Sequence, residues 1–350
     1  MMNVILSLQN RRTFLTLLLS IATVVIVLVL INCNSTRYRY GPGKQQNFGE
    51  TNGGKCLLNY FQDVLLLIVY HYPFYSTIPL VKSNYEGAFP HIIVCGAEDD
   101  KSGRHEIMVV DINPRGYLTH ECVGKAIRIH PAFRGYLMVN DDMLVNWWNF
   151  AKLNKDKIWL GSRVEYKNSY TVGQKSIPDD WFWKLPENGA KSCEKAYKDL
   201  LDLRKDVTFG MEVSKMLKIN FHNGRNKTLC FRTWSDFVYI PGKLSSQFEL
   251  LCSIFYKHKV FLEIAFPTIF SFLAPWDELE NVYGVYLPDI YGFDDFTLPK
   301  KVWPQYSENI PFLHPIKIFG QPGQLNRREI ERRVIPYGRR FLNCTSRAVR

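Results

Sequence analysis

The sequence lacks the compact motifs that mark common hydrolases and nucleoside-triphosphate enzymes. It has no GxSxG nucleophile elbow, no HExxH zinc motif and no GxxxxGK[ST] phosphate loop. Its eight cysteines show no CxxC or zinc-finger spacing, which argues against a cysteine metal site. Internal repeats and low-complexity tracts are absent, so solenoid and disordered architectures are excluded. His71, His91, His105, His120, His130, His222 and His258 are scattered without ligand spacing. A metal-dependent phosphoesterase would want more clustered His and Asp ligands than this.

With 46% hydrophobic and 14% aromatic residues, the chain of 350 can bury a core of one large α/β domain or two modest ones. Residues 14–32, FLTLLLSIATVVIVLVLIN, carry no charge and follow Arg11 and Arg12. At about 1.5 Å per residue such a run just crosses a hydrocarbon core of about 30 Å. The basic flank predicts a single-pass signal-anchor with residues 1–13 cytoplasmic. The run is too long for an ordinary signal-peptide core, and no small-x-small cleavage site follows. The polar, Gly-rich segment 33–55 then reads as a stalk, 56–325 as a lumenal domain and 326–350 as a basic tail.

Acceptor sequons at Asn34, Asn226 and Asn343 agree with that topology; Asn34 lies close to the membrane, leaving Asn226 and Asn343 as glycosylation candidates. In an oxidising lumen some cysteines would pair, while Cys95, inside an apolar strand pattern, reads as a buried thiol. The formal charge is +11, and residues 327–350 hold eight arginines against two glutamates. Either this is a solvated face or it attracts something anionic, such as a nucleotide, lipid headgroups or an acidic glycan. No nucleic-acid motif accompanies it.

Within the lumenal part, DVLLLIVYHYP (63–73), HIIVCG, EIMVVD (106–111) and GYLMV read as buried strands. Helical patterns at 76–89 and 118–130 separate them, and 191–206 and 243–272 read as further helices. This alternation predicts an α/β domain with a mainly parallel sheet flanked by helices, whose ligand crevice lies at the carboxyl ends of the strands. Asp141 and Asp142 fall there. Such a pair suits a hard divalent cation such as Mg²⁺ or Mn²⁺, or else caps a helix over the following MLVNWWNFAKL. Asp pairs at 99–100 and 294–295 lie in loop-like segments, and the pair at 179–180 precedes WFW, either as a cap or beside a carbohydrate-facing aromatic patch. Trp147–Trp148 and Trp181–Phe182–Trp183 read as core or as surfaces that stack on sugar rings.

Anchor, stalk, α/β domain and a hydrophobic strand running into xDD resemble a Golgi glycosyltransferase of the GT-A nucleotide-diphospho-sugar fold. VLLLIVYHYPFY, FPHIIVCG, GYLMVNDDML, SDFVYIP, VFLEIAFPTI and FLHPIK are most similar to STELLO-like glycosyltransferases, over roughly residues 60–320. The resemblance implies transfer of a sugar from a nucleotide-diphosphate donor to a glycan or glycoconjugate acceptor. It places Asp142 and His314 as ligands of Mn²⁺ or Mg²⁺, Asp141 on the donor and Lys317 on its phosphates. Asn140 stands where the family's DxD motif begins with aspartate, which puts metal dependence in question and leaves open a catalytically silent scaffold for glycan-synthesising enzymes. An inverting transfer needs a carboxylate base, for which Asp236 and Glu263 are the candidates. Glu263, among Val, Phe, Leu and Ile, needs a raised pKa or a basic partner.

Overall fold

The computed structural model describes residues 56–113, 116–287 and 299–344. The expected tail, anchor and stalk, with Cys33 and Asn34, lie outside them, as do Asp294 and Asp295. Among the described residues no helix is long and apolar enough to cross a membrane.

The first strand, β1 (Val64–Val69), is buried at every position. Leu65, Leu67 and Val69 face one hydrophobic core while Val64, Leu66 and Ile68 face another. This is why its sequence is a continuous apolar run: a strand covered on both faces has no polar side. A turn of 3-10 helix and α1 (Ile78–Ser83) return the chain to β2 (Ile92–Gly96), which pairs parallel to β1. Edge strand β3 (Met108–Val109) realises only two residues of the expected 106–111. Helix α2 (His120–Ile129) then leads to β4 (Gly135–Asn140), parallel to β1 on its other side.

After Asp142 the expected helix does not form. Instead β5 (Leu144–Val145) is followed by a 3-10 helix, Trp147–Lys152, capped at Asn146. Trp147 and Trp148 are 1% and 3% exposed, so they are core and offer no sugar-stacking face. Asn146 explains the early stop, since its side-chain amide donates to Ser307 O and Ile310 O and fastens this segment to a distant loop.

Strands β6 (Trp159–Leu160), β7 (Ser169–Thr171) and β8 (Leu229–Phe231) bracket a helical insertion. The insertion holds α3 (Trp181–Lys184), α4 (Ala190–Leu203) and α5 (Gly210–Asn223). Next come β9 (Phe237–Pro241), α6 (Ser245–Lys257) and α7 (Leu262–Leu273), whose twelve residues are all buried. Short strands β10 (Glu280–Asn281), β11 (Val285–Tyr286) and β12 (Phe312–His314), with α8 (Pro299–Val302) between the last two, complete the sheets.

The main sheet has seven strands in the order β10-β6-β9-β4-β1-β2-β3. It is mainly parallel, with β9 antiparallel to its neighbours β4 and β6. Helices cover both faces. A second sheet, β11-β12-β5, is joined to the first through the chain that leaves β4.

The Arg-rich segment is helical: α9 (Gly320–Glu329), one π-helical turn and α10 (Ile335–Arg339) run in succession. Ile330, Val334 and Ile335 are buried, and Phe341 stacks on Trp148 at 5.9 Å. The arginines of this segment therefore ride on a docked helix. Leu57 N–H donates to Phe341 O, and Cys56 is bonded to Cys344 beside it.

Cys95, expected as a thiol, is bonded to Cys122, joining β2 to α2. A third bridge joins Cys193 to Cys230, and buried Cys252 is the free cysteine among the described residues. The Cys193–Cys230 bridge, 37 residues apart, limits the unfolded chain. Replacing both residues by alanine should lower stability by about 3–4 kcal/mol, read as a shifted denaturation midpoint. An unchanged midpoint, in the variant or with reductant, would show that the bridge does not form.

Candidate active site

The site follows from strand directions. Parallel β1 and β4 end together, and β9, antiparallel to β4, begins beside that end, with Phe237 opposite Val139. Residues just beyond β1 and β4 and just before β9 therefore meet. These are His71, Asn140–Asp142 and Asp236. The second sheet adds a fourth contributor: β5 pairs with β12, Leu144 opposite Leu313, which brings the end of β12 back to the aspartates. Ile316 N–H donates to Asp142 O at 2.7 Å and fixes that return.

Asp142 is the electrostatic centre. Lys317 Nζ donates to its Oδ2 at 2.6 Å, and His314 Nε2 lies 3.2 Å from its Oδ1. Burial opposes ionisation, but Lys317 and His314 together hold this carboxyl well below the ordinary carboxylate range. Asp141 behaves oppositely: burial and then the neighbouring Asp142 charge push it up to about 8. Its partner is a long contact, 3.5 Å, from His71 N–H. Adjacent carboxyls are thus split into one charged and one protonated group.

Asp236 is held by Asn140, whose Nδ2 donates to Oδ1 at 2.8 Å, and His314 Nε2 is 3.5 Å from the same oxygen. Asn140 thus acts as a donor where a third carboxylate would only repel. Burial works against a charged His314, yet Asp236 and Asp142 raise its pKa above the usual histidine value.

His71, one of the scattered histidines, is a component that sequence reasoning missed. It is half-buried with its Nε2 out of solvent, and desolvation lowers its pKa against the pull of Asp142 and Asp236. The available signal was its place immediately beyond the carboxyl end of β1, where the crevice rule puts ligand contacts. Asn140 Oδ1 and Asp236 Oδ2 are buried acceptors without a donor, His71 Nε2 is a buried ring nitrogen without a partner, and beside them Asp142 Oδ1 faces only His314 Nε2 at 3.2 Å. Their convergence suits a cation or a donor-rich ligand.

Glu263 lies in the first turn of α7 and touches none of Asp142, His314 or Lys317 through an ion pair. No salt bridge was found for it among the described residues, and its Oε2 is buried without a partner. Arg232, a basic group close enough to act on Glu263 electrostatically, pairs instead with Asp180. Burial first, then the nearby Asp236, raise the Glu263 pKa well above the ordinary value. Its location is set by Pro267. Lacking an N–H, Pro267 leaves the Glu263 carbonyl unclaimed within the helix, and Thr233 N–H donates to it at 3.0 Å. This ties α7 to the segment that delivers Asp236.

The other Asp pairs have local roles. Asp100 accepts from Ser102, Arg104 and His105 N–H, and Asp180 caps α3 by accepting from Phe182 N–H. Asn226 and Asn343 are both exposed. A cavity of 610 Å³ lies at the opposite end of the sheet, lined by Asp63, Phe133, Arg134, Asp156 and Lys243. There Arg134 is already paired with Asp63 and Asp156, so we take the charged cluster, not this cavity, as the functional centre.

For a divalent ion, two adjacent ligands bound at about 2.1 Å stand about 3 Å apart, a spacing that Asp142 Oδ1 and His314 Nε2 match. Among the described residues no three His, Cys, Asp or Glu side chains form a ready-made metal site. The residues present therefore fit an ion that takes one or two protein ligands and fills its shell with water and phosphate, as Mg²⁺ commonly does.

No known family profile matches the chain. Two curated Arabidopsis thaliana proteins do align with it. It is 25% identical over 186 residues to probable glycosyltransferase STELLO1, and 23% identical over 184 residues to probable glycosyltransferase STELLO2. The chain resembles STELLO-like glycosyltransferases. The alignments cover 53% of this chain, which spans about a fifth (21%) of the length of each relative.

The Glu263 environment has a consequence for stability. The folded state keeps a proton that the unfolded chain releases above about pH 4.5. Stability is thus undiminished below that pH and declines as pH rises toward the elevated folded value. Glu263→Gln should melt like the parent near pH 4 and increasingly above it toward pH 8. A melting difference independent of pH would mean that Glu263 ionises normally.

Proposed function

We propose that this chain is a glycosyltransferase of the GT-A type that takes a sugar from a nucleotide-diphosphate donor. The observation that carries this reading is the meeting of Asp142, His314, Asp236 and Lys317 at the carboxyl ends of parallel strands. The similarity to proteins named probable glycosyltransferases supports it. Asp142 and His314 would hold Mn²⁺ or Mg²⁺, which when bound offsets the charge of a diphosphate leaving group. Lys317, released from Asp142, would meet phosphate oxygens, and protonated Asp141 would donate to the donor.

Asp236 is the better-placed base for an acceptor hydroxyl, because its Oδ2 has no donor and its other oxygen is fixed by Asn140. Glu263 is buried with its pKa raised well above the ordinary value and forms no ion pair with His314 or Lys317, so we assign the base to Asp236 and a positioning role to Glu263. The acceptor is a glycan or glycoconjugate. Residues 14–32 would anchor the chain, type II, in a Golgi or other secretory-pathway membrane. Three disulfides and the exposed Asn226 sequon support a lumenal domain.

A second reading has its own observation. Lys317 and His314 already neutralise Asp142, so the fold stands without metal and could act as a silent scaffold beside glycan-synthesising enzymes. Calorimetric titration of the full chain with UDP, GDP and CDP, with and without Mn²⁺, separates the two. The transferase reading expects one nucleotide to bind only with metal, and Asp142→Asn to weaken it by about 100-fold. A folded chain that binds none of them leaves the scaffold.

A further inference from the structure

Beyond the charged centre, a continuous strip of aromatic rings runs from His314 to the surface. The Tyr286 ring lies 5.5 Å from that of His314, and Trp234 stacks on Tyr286 at 6.1 Å and 27°. Phe182 meets Trp234 at 5.8 Å, and Trp181 stacks on Phe182 at 3.9 Å and 28°. Phe182 is the buried rung, while Trp234 and Tyr286 are half-buried and Trp181 is 44% exposed. Two residues on, Trp183 is turned inward against Tyr170 and is 2% exposed, so α3 divides its tryptophans between core and surface.

We infer that this strip is the acceptor subsite and takes an oligosaccharide chain, laid with its apolar ring faces on Trp181 and Trp234 and its reacting end toward His314. The inference rests on the transferase reading and adds the class and path of the second substrate.

Three observations favour a saccharide. The strip is continuous with the charged centre, whereas a lone exposed tryptophan would need no explanation. Several rings in succession exceed what one nucleobase covers but suit linked pyranoses. Beside the strip, the Arg232 guanidinium lies 4.5 Å over Phe182, and its Nε–H is buried without an acceptor. Glu263 Oε2, an electrostatic neighbour of Arg232, is buried without a donor. Hydroxyl groups both give and accept hydrogen bonds, directly or through water, so a polyhydroxylated ligand answers both orphans; a hydrocarbon surface answers neither.

The test uses the full chain and its Trp181→Ala and Trp181→Phe variants. β-1,4-linked tetrasaccharides of glucose, mannose, xylose and N-acetylglucosamine are titrated by intrinsic fluorescence and calorimetry. UDP, GDP and CDP with Mn²⁺ are titrated in parallel. We expect at least one tetrasaccharide to bind, Trp181→Ala to weaken it about ten-fold, and Trp181→Phe to retain most of the affinity. Nucleotide binding should be unchanged in both variants, since Trp181 lies four ring contacts from His314. Equal tetrasaccharide affinity in parent and Trp181→Ala would overturn the inference, as would no tetrasaccharide binding by the parent. Loss of nucleotide binding in Trp181→Ala would also overturn it, assigning the strip to the donor. Nucleotide binding by the parent reports separately on the transferase reading.

Discussion

An ionised carboxylate can be buried only if opposite charge comes with it, and Asp142 brings that constraint to the centre of the fold. Its neutralising groups, His314 and Lys317, are more than 170 residues away in sequence, so the C-terminal segment must return to the end of β4. The β5–β12 pairing and the bond from Ile316 to Asp142 make that return, and α9 follows within a few residues of Lys317. The arginine-rich helix then docks through Ile330, Val334 and Ile335, and the disulfide at Cys344 closes the domain on its own beginning. One charge balance thereby organises a segment that composition alone marks as polar and basic.

The same balance shapes the chemistry. Two adjacent aspartates do not share their burden equally: Asp142 takes the charge and Asp141 takes the proton. Asn140 removes a third carboxylate from a cluster that already includes Asp236, and spends its amide on fixing that group. The departure from a DxD pattern therefore has a local physical role in this chain. It gives Asp236 a donor while leaving its second oxygen unengaged.

Much of this was legible in the sequence, for particular reasons. β1 and β4 are buried on both faces, and so read as unbroken apolar runs; the end of β4 was named to within one residue, while the run at β1 extends to Pro73, past the strand's end at Val69. That was enough to put Asp141 and Asp142 at the crevice. Asp236 and His314 were legible as candidates, but their meeting was not, because it depends on β9 running antiparallel and on two-residue strands too short to leave a period. The helix expected after Asp142 failed because Asn146 and Trp148 are engaged by residues 307–310 while Trp147 donates to Asn84 O. Cys95 illustrates another limit: its strand pattern was right, while its bond to Cys122 depends on how α2 packs across the sheet. His71 was overlooked because ligand spacing in sequence was sought, when four separate strand ends supply the site.

Asp236 and Glu263 show how two carboxyl groups a short distance apart come to differ. Both are buried, and the nearby Asp236 adds to the cost of ionising Glu263. Asp236 stands between an amide donor and a histidine whose cationic form it favours, so charge there is met from two sides. Glu263 stands in the apolar first turn of α7, and the one nearby guanidinium is committed to Asp180. The proton accordingly stays on Glu263. Because Pro267 makes the Glu263 carbonyl available to Thr233, the protonated residue still helps to set where Asp236 lies. The glutamic acid at the start of α7 and the aspartate beside the histidine are thus parts of one arrangement, in which the residue that resists ionisation helps to position Asp236.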